Sequence, residues 1–261
     1  INGVVYPHQT MQSGGESYYS AVKQQHEELN CIIEALLEAD IDQITVNDAH
    51  CTMENLKLSK LNPKVELITG KPKHYSMLAG LDESYSCVFL VGYHAKAGSK
   101  NGVLAHTFST IFKSVSLNGD YIGEIELNSA YAGLLNVPIA LVTGDDITCK
   151  EAKNCIGNVK TISTKTAVST TSAKCKPSEQ LFRELKWTVS ETVNNSQDWV
   201  LYKLGSPYTL EVDFADRKNT DLAELLPGLE RLSATRIKYT SEQYGDVYKL
   251  LQFLSATLKN H

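Results

Sequence analysis

Hydrophobic and polar positions along the chain follow a pattern of helices and strands in alternation. A long amphipathic stripe predicts a helix over Glu16–Glu38, with His26 on its polar, solvent-exposed face. Two short apolar runs, at residues 44–46 and 65–68, predict strands after this helix. Residues 87–91 are rich in β-branched and aromatic side chains, which is typical of a fully buried strand. This alternation favours an α/β protein with a mostly parallel sheet.

The second half of the chain has a different composition. Ser, Thr and Lys dominate residues 160–176, which predicts an extended linker or an edge segment. Around it the pattern predicts a hairpin turn at Asn118-Gly119, helices at 124–135, 177–194, 216–226 and 241–258, and strands at 138–143, 208–214 and 234–239. We therefore expect a doubly wound, mostly parallel α/β domain that binds metal over residues 1–150. A second, smaller α/β unit should follow over residues 151–261.

Composition and charge exclude several classes of partner. The 261 residues carry a net charge of −5, and no run of Lys or Arg suggests a nucleic-acid surface. No apolar stretch approaches the length of a membrane span, and no signal-peptide pattern opens the sequence. The six cysteines have no two-residue-spaced pairs, which is typical of reduced thiols in a cytoplasmic protein. No glycine-rich phosphate loop follows any predicted strand, so a nucleotide-binding role is disfavoured.

Polar side chains cluster at the predicted ends of strands. His50 and His94 each follow a predicted strand, Glu124 opens a predicted helix, and His106 lies in the loop beyond His94. Ligands of open α/β sheets bind in the crevice beyond the carboxyl ends of the strands. Two imidazoles and a carboxylate are a common zinc-binding set that leaves a position for water. The spacing therefore predicts a metal site at this edge of the sheet.

Each of these residues also has an ordinary structural interpretation. A single histidine after a strand is often a turn residue, and Glu124 is also a carboxylate favoured at a helix N-terminus. Asp145 or Asp146 is expected to cap the next helix rather than bind metal. Asn47 or Asp48 is a candidate to orient a metal-bound histidine.

Five short segments occur together and in a fixed order. They are Val-Asn-Asp-Ala-His at 46–50, Gly-Tyr-His-Ala-Lys-Ala at 92–97, Gly-Val-Leu-Ala-His-Thr at 102–107, Ile-Gly-Glu-Ile-Glu-Leu-Asn at 122–128 and Val-Thr-Gly-Asp-Asp at 142–146. In this combination the chain resembles the zinc-dependent D-aminopeptidases, whose type member belongs to a bacterial dipeptide-transport operon. The resemblance covers essentially the whole chain and is strongest over residues 46–146.

The resemblance implies a metallo-aminopeptidase that uses zinc-activated water to release the N-terminal residue, a D-amino acid in this family, from short peptides. It implies two zinc ions per subunit, with His50, His94 and Glu124 among their ligands. It implies His106 as the catalytic residue. It also implies a homo-oligomer, a ring-like decamer that encloses the active sites.

The sequence departs from the family pattern at its start. In the family an Asp-x-Glu-Gly segment supplies two metal-binding carboxylates just before a sequence like the one that begins at Ile1, and this segment is absent here. We expect a further strand that carries it before Ile1, because a doubly wound sheet places such a strand near its middle. Two alternatives stay open: a catalytically impaired family member that serves as a metal-binding assembly protein, and another zinc amidohydrolase.

Overall fold

Helices and strands alternate along the chain as the hydrophobic pattern predicts. The computed structural model describes residues 1–41 and 43–259. Its helices are α1 (Glu16–Glu38), α2 (Glu124–Leu134), α3 (Asp146–Ile156), α4 (Ser178–Asn194), α5 (Arg217–Ala223) and α6 (Tyr244–Thr257). Its strands are β1 (Thr45–Asn47), β2 (Glu66–Ile68), β3 (Val88–Leu90), β4 (Phe112–Leu117), β5 (Asp120–Tyr121), β6 (Ile139–Asp145), β7 (Lys160–Ser169), β8 (Ser172–Cys175), β9 (Tyr208–Phe214), β10 (Glu230–Arg231) and β11 (Arg236–Ser241). The predicted α/β class is confirmed, and no helix among the described residues is both long and apolar enough to cross a membrane.

A four-stranded sheet supports the region of the predicted site. Its order is β3-β6-β7-β8, with β3, β6 and β7 parallel and β8 antiparallel at the edge. Every residue of β6 is buried, because helices cover both faces of this sheet. Leu141 packs against α1 and α4, whereas its neighbour Val142 packs against α2 and α3. The alternation of side chains along β6 therefore divides the core into two layers.

A second, five-stranded antiparallel sheet has the order β10-β11-β9-β4-β5. Helix α6 packs against it, and Tyr248, Leu251 and Leu254 are fully buried in that interface. The hairpin predicted at Asn118-Gly119 joins β4 to β5, and both residues have the positive φ of the favoured two-residue turn. The pairings β4–β9 and β6–β7 connect the two units that the sequence suggested, and a boundary at residue 150 stays a prediction.

Strands β1 and β2 form a separate two-stranded parallel sheet. Val46 of β1 and Val65, just before β2, pack against Ile33 of α1. The turn that carries His50 follows β1 directly. This small sheet therefore places the first predicted site residue beside the N-terminal helix.

The segment at residues 160–176 differs from its prediction. It forms the hairpin of β7 and β8, so the expectation of a linker is wrong, and that of an edge segment is right only for β8, because β7 lies between β6 and β8. Ile162 and Thr164 of β7 are fully buried. Few large apolar residues are needed here because β7 receives its hydrophobic cover from the helices above it and from β6 beside it.

His26 was predicted to be exposed and is 4% exposed, so that prediction is wrong. Its Nδ1 lies 2.7 Å from the carbonyl of Val22, and its Nε2 accepts the backbone N–H of Lys57 at 3.0 Å. The chain that follows β1 packs over this face of α1. Because that contact comes from a distant segment, the helical pattern alone could not reveal it.

The central strand β6 should be sensitive to truncation. Leu141→Ala removes a fully buried side chain, and we expect a loss of about 2–5 kcal/mol in the free energy of unfolding because a cavity is left. The matched control is Leu225→Ala, since Leu225 is 77% exposed and should lose less than about 0.5 kcal/mol. Urea unfolding measures both variants. Equal losses would contradict the place of β6 at the centre of the core.

Candidate metal centre

An irregular segment between β3 and β4 carries two of the predicted site histidines. It begins after Leu90 and ends before Phe112, and both His94 and His106 lie within it. The segment turns back on itself, so that the backbone N–H of His106 donates to the carbonyl of Ala95 at 3.1 Å. The two imidazole rings consequently stack, with centroids 3.8 Å apart and planes 16° from parallel.

Glu124, the first residue of α2, completes a group with the two histidines. Its Oε2 lies 3.4 Å from Nε2 of His94, and its Oε1 accepts the backbone N–H of Phe108 at 2.8 Å. Among the described residues, His94, His106 and Glu124 are the group that could hold a metal ion, with one ligand atom from each within 4.8 Å of the others. The sequence predicts His94 and Glu124 as metal ligands and His106 as a catalytic residue, and the structure brings these three side chains together.

Backbone carbonyls determine which imidazole nitrogen is free to act. Nδ1 of His94 lies 3.1 Å from the carbonyl of Ala95, and Nδ1 of His106 lies 2.7 Å from that of Leu104. Because a carbonyl can only accept, Nδ1 carries the proton in each neutral ring and Nε2 keeps a lone pair. This assignment follows from the hydrogen-bond network. Nε2 of His94 and a carboxylate oxygen of Glu124 are donors that fit zinc, and Nε2 of His106 lies beside them with a lone pair for a metal ion or a proton.

Burial and the charges that His94, His106 and Glu124 exert on one another shift their pKa values in different directions. Burial favours the neutral form of Glu124, but the charge and hydrogen bond of His94 outweigh it and lower the pKa of Glu124 to about 2. Burial and the nearby charge of His94 lower the pKa of His106 to about 4. Burial also opposes protonation of His94, yet the Glu124 carboxylate raises its pKa above the ordinary value. Near neutral pH Glu124 is therefore ionised and His106 neutral, and the Glu124 carboxylate favours the protonated form of His94.

The loop around His106 is anchored from two sides. Asp145 caps α3 by accepting the N–H of Thr148 at 2.7 Å, as expected, and its other oxygen accepts the N–H of Val103 at 2.7 Å. The N–H of Leu104 donates to the carbonyl of Thr170 at 2.8 Å, at the tip of the hairpin of β7 and β8. Leu104, whose carbonyl orients His106, is therefore itself held in place by a hydrogen bond to the hairpin.

His50 lies outside the group that the described residues form. Its side chain is exposed, and its Nε2 lies 2.7 Å from the carbonyl of Thr10. Asp48 is buried and accepts the N–H of Asn55 at 2.6 Å, so it shapes the turn that carries His50. The structure places the His50 ring at the surface, beside Thr10. Its role as a metal ligand stays a prediction.

The sequence does not reveal several polar side chains that hold the residues next to the site through hydrogen bonds. Asn128 donates to the hydroxyl of Tyr93 at 2.9 Å and accepts from that of Tyr248 at 2.8 Å. Lys96 lies beside Glu151, which accepts its backbone N–H at 2.9 Å. Tyr93, Lys96 and Asn128 lie inside the five ordered segments, which was the signal that the sequence offered for them. Glu151 and Tyr248 lie outside those segments. Polar residues in runs otherwise rich in small and apolar side chains have a structural partner when they are buried.

The chain matches known proteins in sequence and in fold. A sequence profile of the M55 peptidase family, described as D-aminopeptidase, matches residues 1–253. The chain belongs to this family. The membership that the five ordered segments predicted is therefore confirmed.

A protein sequence and a solved structure from Bacillus subtilis match this M55 member. A D-aminopeptidase of strain 168 is 30% identical over 240 residues, which are 92% of this chain and 87% of the relative. The solved structure of the Zn-dependent D-aminopeptidase DppA, described as a self-compartmentalizing protease, has a TM-score of 0.94 at 28% identity, and covers 100% of this chain and 96% of that one. These matches confirm the fold class and, through the family, the predicted type of enzyme, a metallo-aminopeptidase.

Stacking of His106 on His94 predicts a lowered pKa for His106. In the metal-free protein we expect His106 to titrate near pH 4 rather than near the ordinary value of 6.5, because burial and His94 both oppose its charge. Imidazole C–H resonances followed by NMR measure this. His94→Ala should raise the pKa of His106 only part of the way, since burial remains. A wild-type His106 that titrates near 6.5 would contradict the stacked geometry.

Proposed function

We propose that this chain is a zinc-dependent aminopeptidase that releases an N-terminal D-amino acid from short peptides. The convergence of His94, His106 and Glu124, in a chain of the D-aminopeptidase family, is the observation that carries the proposal. The relative DppA is described as Zn-dependent, and imidazole nitrogen and carboxylate oxygen are common zinc ligands.

We assign His94 and Glu124 to metal binding and include His50 as a further ligand. For His50, the Thr10 carbonyl lies 2.7 Å from Nε2 and favours the proton there, so Nδ1 is the nitrogen whose lone pair is available to a metal ion. Two zinc ions per subunit are part of this proposal. The resemblance supplies the remaining ligands from an Asp-x-Glu-Gly segment, which the sequence from Ile1 onward does not contain.

Zinc, when bound, polarises a peptide carbonyl and lowers the pKa of a water molecule. The side chains around it divide the remaining work. Glu124 is ionised at any pH where the enzyme would function, because its pKa is about 2, and its charge balances that of a cation. His106 presents the lone pair of Nε2, since its Nδ1 is held by the carbonyl of Leu104. We assign it to proton exchange at Nε2, either with the attacking water or with the leaving amine.

We further propose that subunits assemble into a homo-oligomer, a decamer by resemblance, whose enclosed chamber admits only short peptides. The support is that the relative DppA is described as self-compartmentalizing. Light scattering on the purified chain would report the mass of the assembly directly. A cytoplasmic location is proposed as well, because all six cysteines are free thiols, as in reducing compartments.

Single substitutions separate metal binding from catalysis. His94→Ala should lose bound zinc, because it removes a ligand atom that faces Glu124. His106→Ala should keep zinc and lose turnover by about a hundredfold or more, as expected for a general acid–base group. Metal content by mass spectrometry and release of the N-terminal residue are measured on the same samples. Loss of zinc from both variants would show that His106 is a ligand and that its assigned role is wrong.

Substrate stereochemistry is tested with matched dipeptides that differ only in the configuration of the N-terminal alanine. We expect kcat/KM for the D form to exceed that for the L form by at least about tenfold, which corresponds to about 1.4 kcal/mol of transition-state discrimination. Activity should disappear with a chelator and return with zinc. An equal or larger kcat/KM for the L form would contradict the D-amino acid proposal without affecting the metal site.

A further inference from the structure

Lys96, two residues after His94, makes ion pairs with two acidic side chains. Its Nζ lies 3.5 Å from Oε1 of Glu126 and 3.5 Å from Oε1 of Glu151. The three side chains are only 24%, 10% and 12% exposed, respectively. Such pairs are screened less by solvent than surface pairs are, and breaking one leaves a charge without its partner. The position of Lys96 is therefore strongly constrained.

These partners connect the loop of His94 to the helix of Glu124. Glu126 is on the first turn of α2, and its Oε2 accepts the N–H of Gly123 at 2.8 Å. Glu151 is on α3 and accepts the backbone N–H of Lys96 at 2.9 Å. One lysine thus joins three elements that meet at the site.

The loop and the start of α2 are also in direct contact. A Cβ atom built on Gly123 would lie 2.7 Å from Cβ and 3.1 Å from Cα of Lys96, so only glycine permits this approach. Gly123 immediately precedes Glu124, and Lys96 is close to His94 along the chain. Any shift between these two segments would therefore change the distance between the two ligand side chains.

We propose that Lys96 is a positioning residue of the metal centre, which sets the separation of His94 and Glu124 through its ion pairs with Glu126 and Glu151. Lys96 makes its ion pairs with Glu126 and Glu151 rather than with the ligand side chains, and it acts through the backbone that carries those ligands. Groups that orient metal ligands commonly contribute to metal affinity, so we expect loss of the Lys96 ion pairs to weaken metal binding. The proposal rests on the proposed function, because it requires a metal at this group.

The test is the zinc affinity of Lys96→Met, which keeps the length of the side chain and removes its charge. Competition with a chromophoric chelator gives the zinc Kd, and the visible spectrum of the Co²⁺-substituted protein reports the ligand geometry. We expect Kd to rise about 10- to 100-fold, the usual effect of losing a partner that orients ligands. Lys96→Arg should recover most of the affinity, because a guanidinium can bind both carboxylates.

The chain offers a matched control in Lys176. Its side chain is 23% exposed, like that of Lys96, and pairs with Glu184 of α4, which is 33% exposed, so Lys176→Met removes a partly buried ion pair that involves neither the histidine segment nor α2 or α3. Zinc affinity should stay at the wild-type value in this control. Thermal unfolding of the metal-free proteins compares the stability losses of the two variants. A general loss of stability would act on both, whereas a positioning role changes the zinc Kd only for Lys96→Met.

The outcomes are distinguishable. If the wild type binds zinc and Lys96→Met binds it with the same Kd, the inference is wrong and the proposed function stands. A Lys96→Arg variant as weak as Lys96→Met would also overturn it, since the charge would then have no role. If the wild type does not bind zinc, the proposed function fails and the inference with it. Should Lys96→Met not fold, Glu151→Gln replaces it, and an unchanged Kd in that variant is equally decisive against the inference.

Discussion

The site depends on hydrogen bonds for the backbone of an irregular, partly buried segment, residues 91–111. A helix satisfies its own N–H groups and a strand donates to its neighbours in the sheet, but this segment has no such ladder and draws acceptors from outside. Three carboxylates on α2, on α3 and at the cap of α3 provide three of these acceptors. Lys96 donates to Glu151, Val103 to Asp145 and Phe108 to Glu124. The path of the loop, and so the meeting of its two histidines, follows from these acceptors.

Glu124 shows how closely the loop and the candidate metal site are linked. One oxygen accepts the N–H of Phe108, while the other faces His94. Burying a carboxylate is costly, and the hydrogen bond and the imidazolium together offset that cost, as the lowered pKa shows. The interaction that folds the loop therefore also orients a ligand oxygen, so the group is arranged by the protein itself.

Local hydrophobic patterns predicted most of the helices and strands. Contacts between residues far apart in sequence explain the features that these patterns did not predict. Helix α1 has the predicted bounds because its apolar stripe is a property of its own residues. The burial of His26 depends on a segment that packs over α1, and the pairing of β4 with β9 depends on residues far apart in sequence. Strand ends and a helix start were enough to find His94 and Glu124. The stacking of His106 also requires positive φ at Leu104 and Phe108, which the propensities of these residues do not predict.

The contacts that hold the segment use backbone N–H groups on one side and carboxylates on the other. Every residue except proline supplies an N–H, so most side chains of the segment can differ without loss of these bonds. This is consistent with a shared fold at a TM-score of 0.94 and 28% identity. His94 and His106 do not have this freedom. Only an imidazole can donate to a backbone carbonyl from one nitrogen while the other keeps a lone pair for a metal ion or a proton.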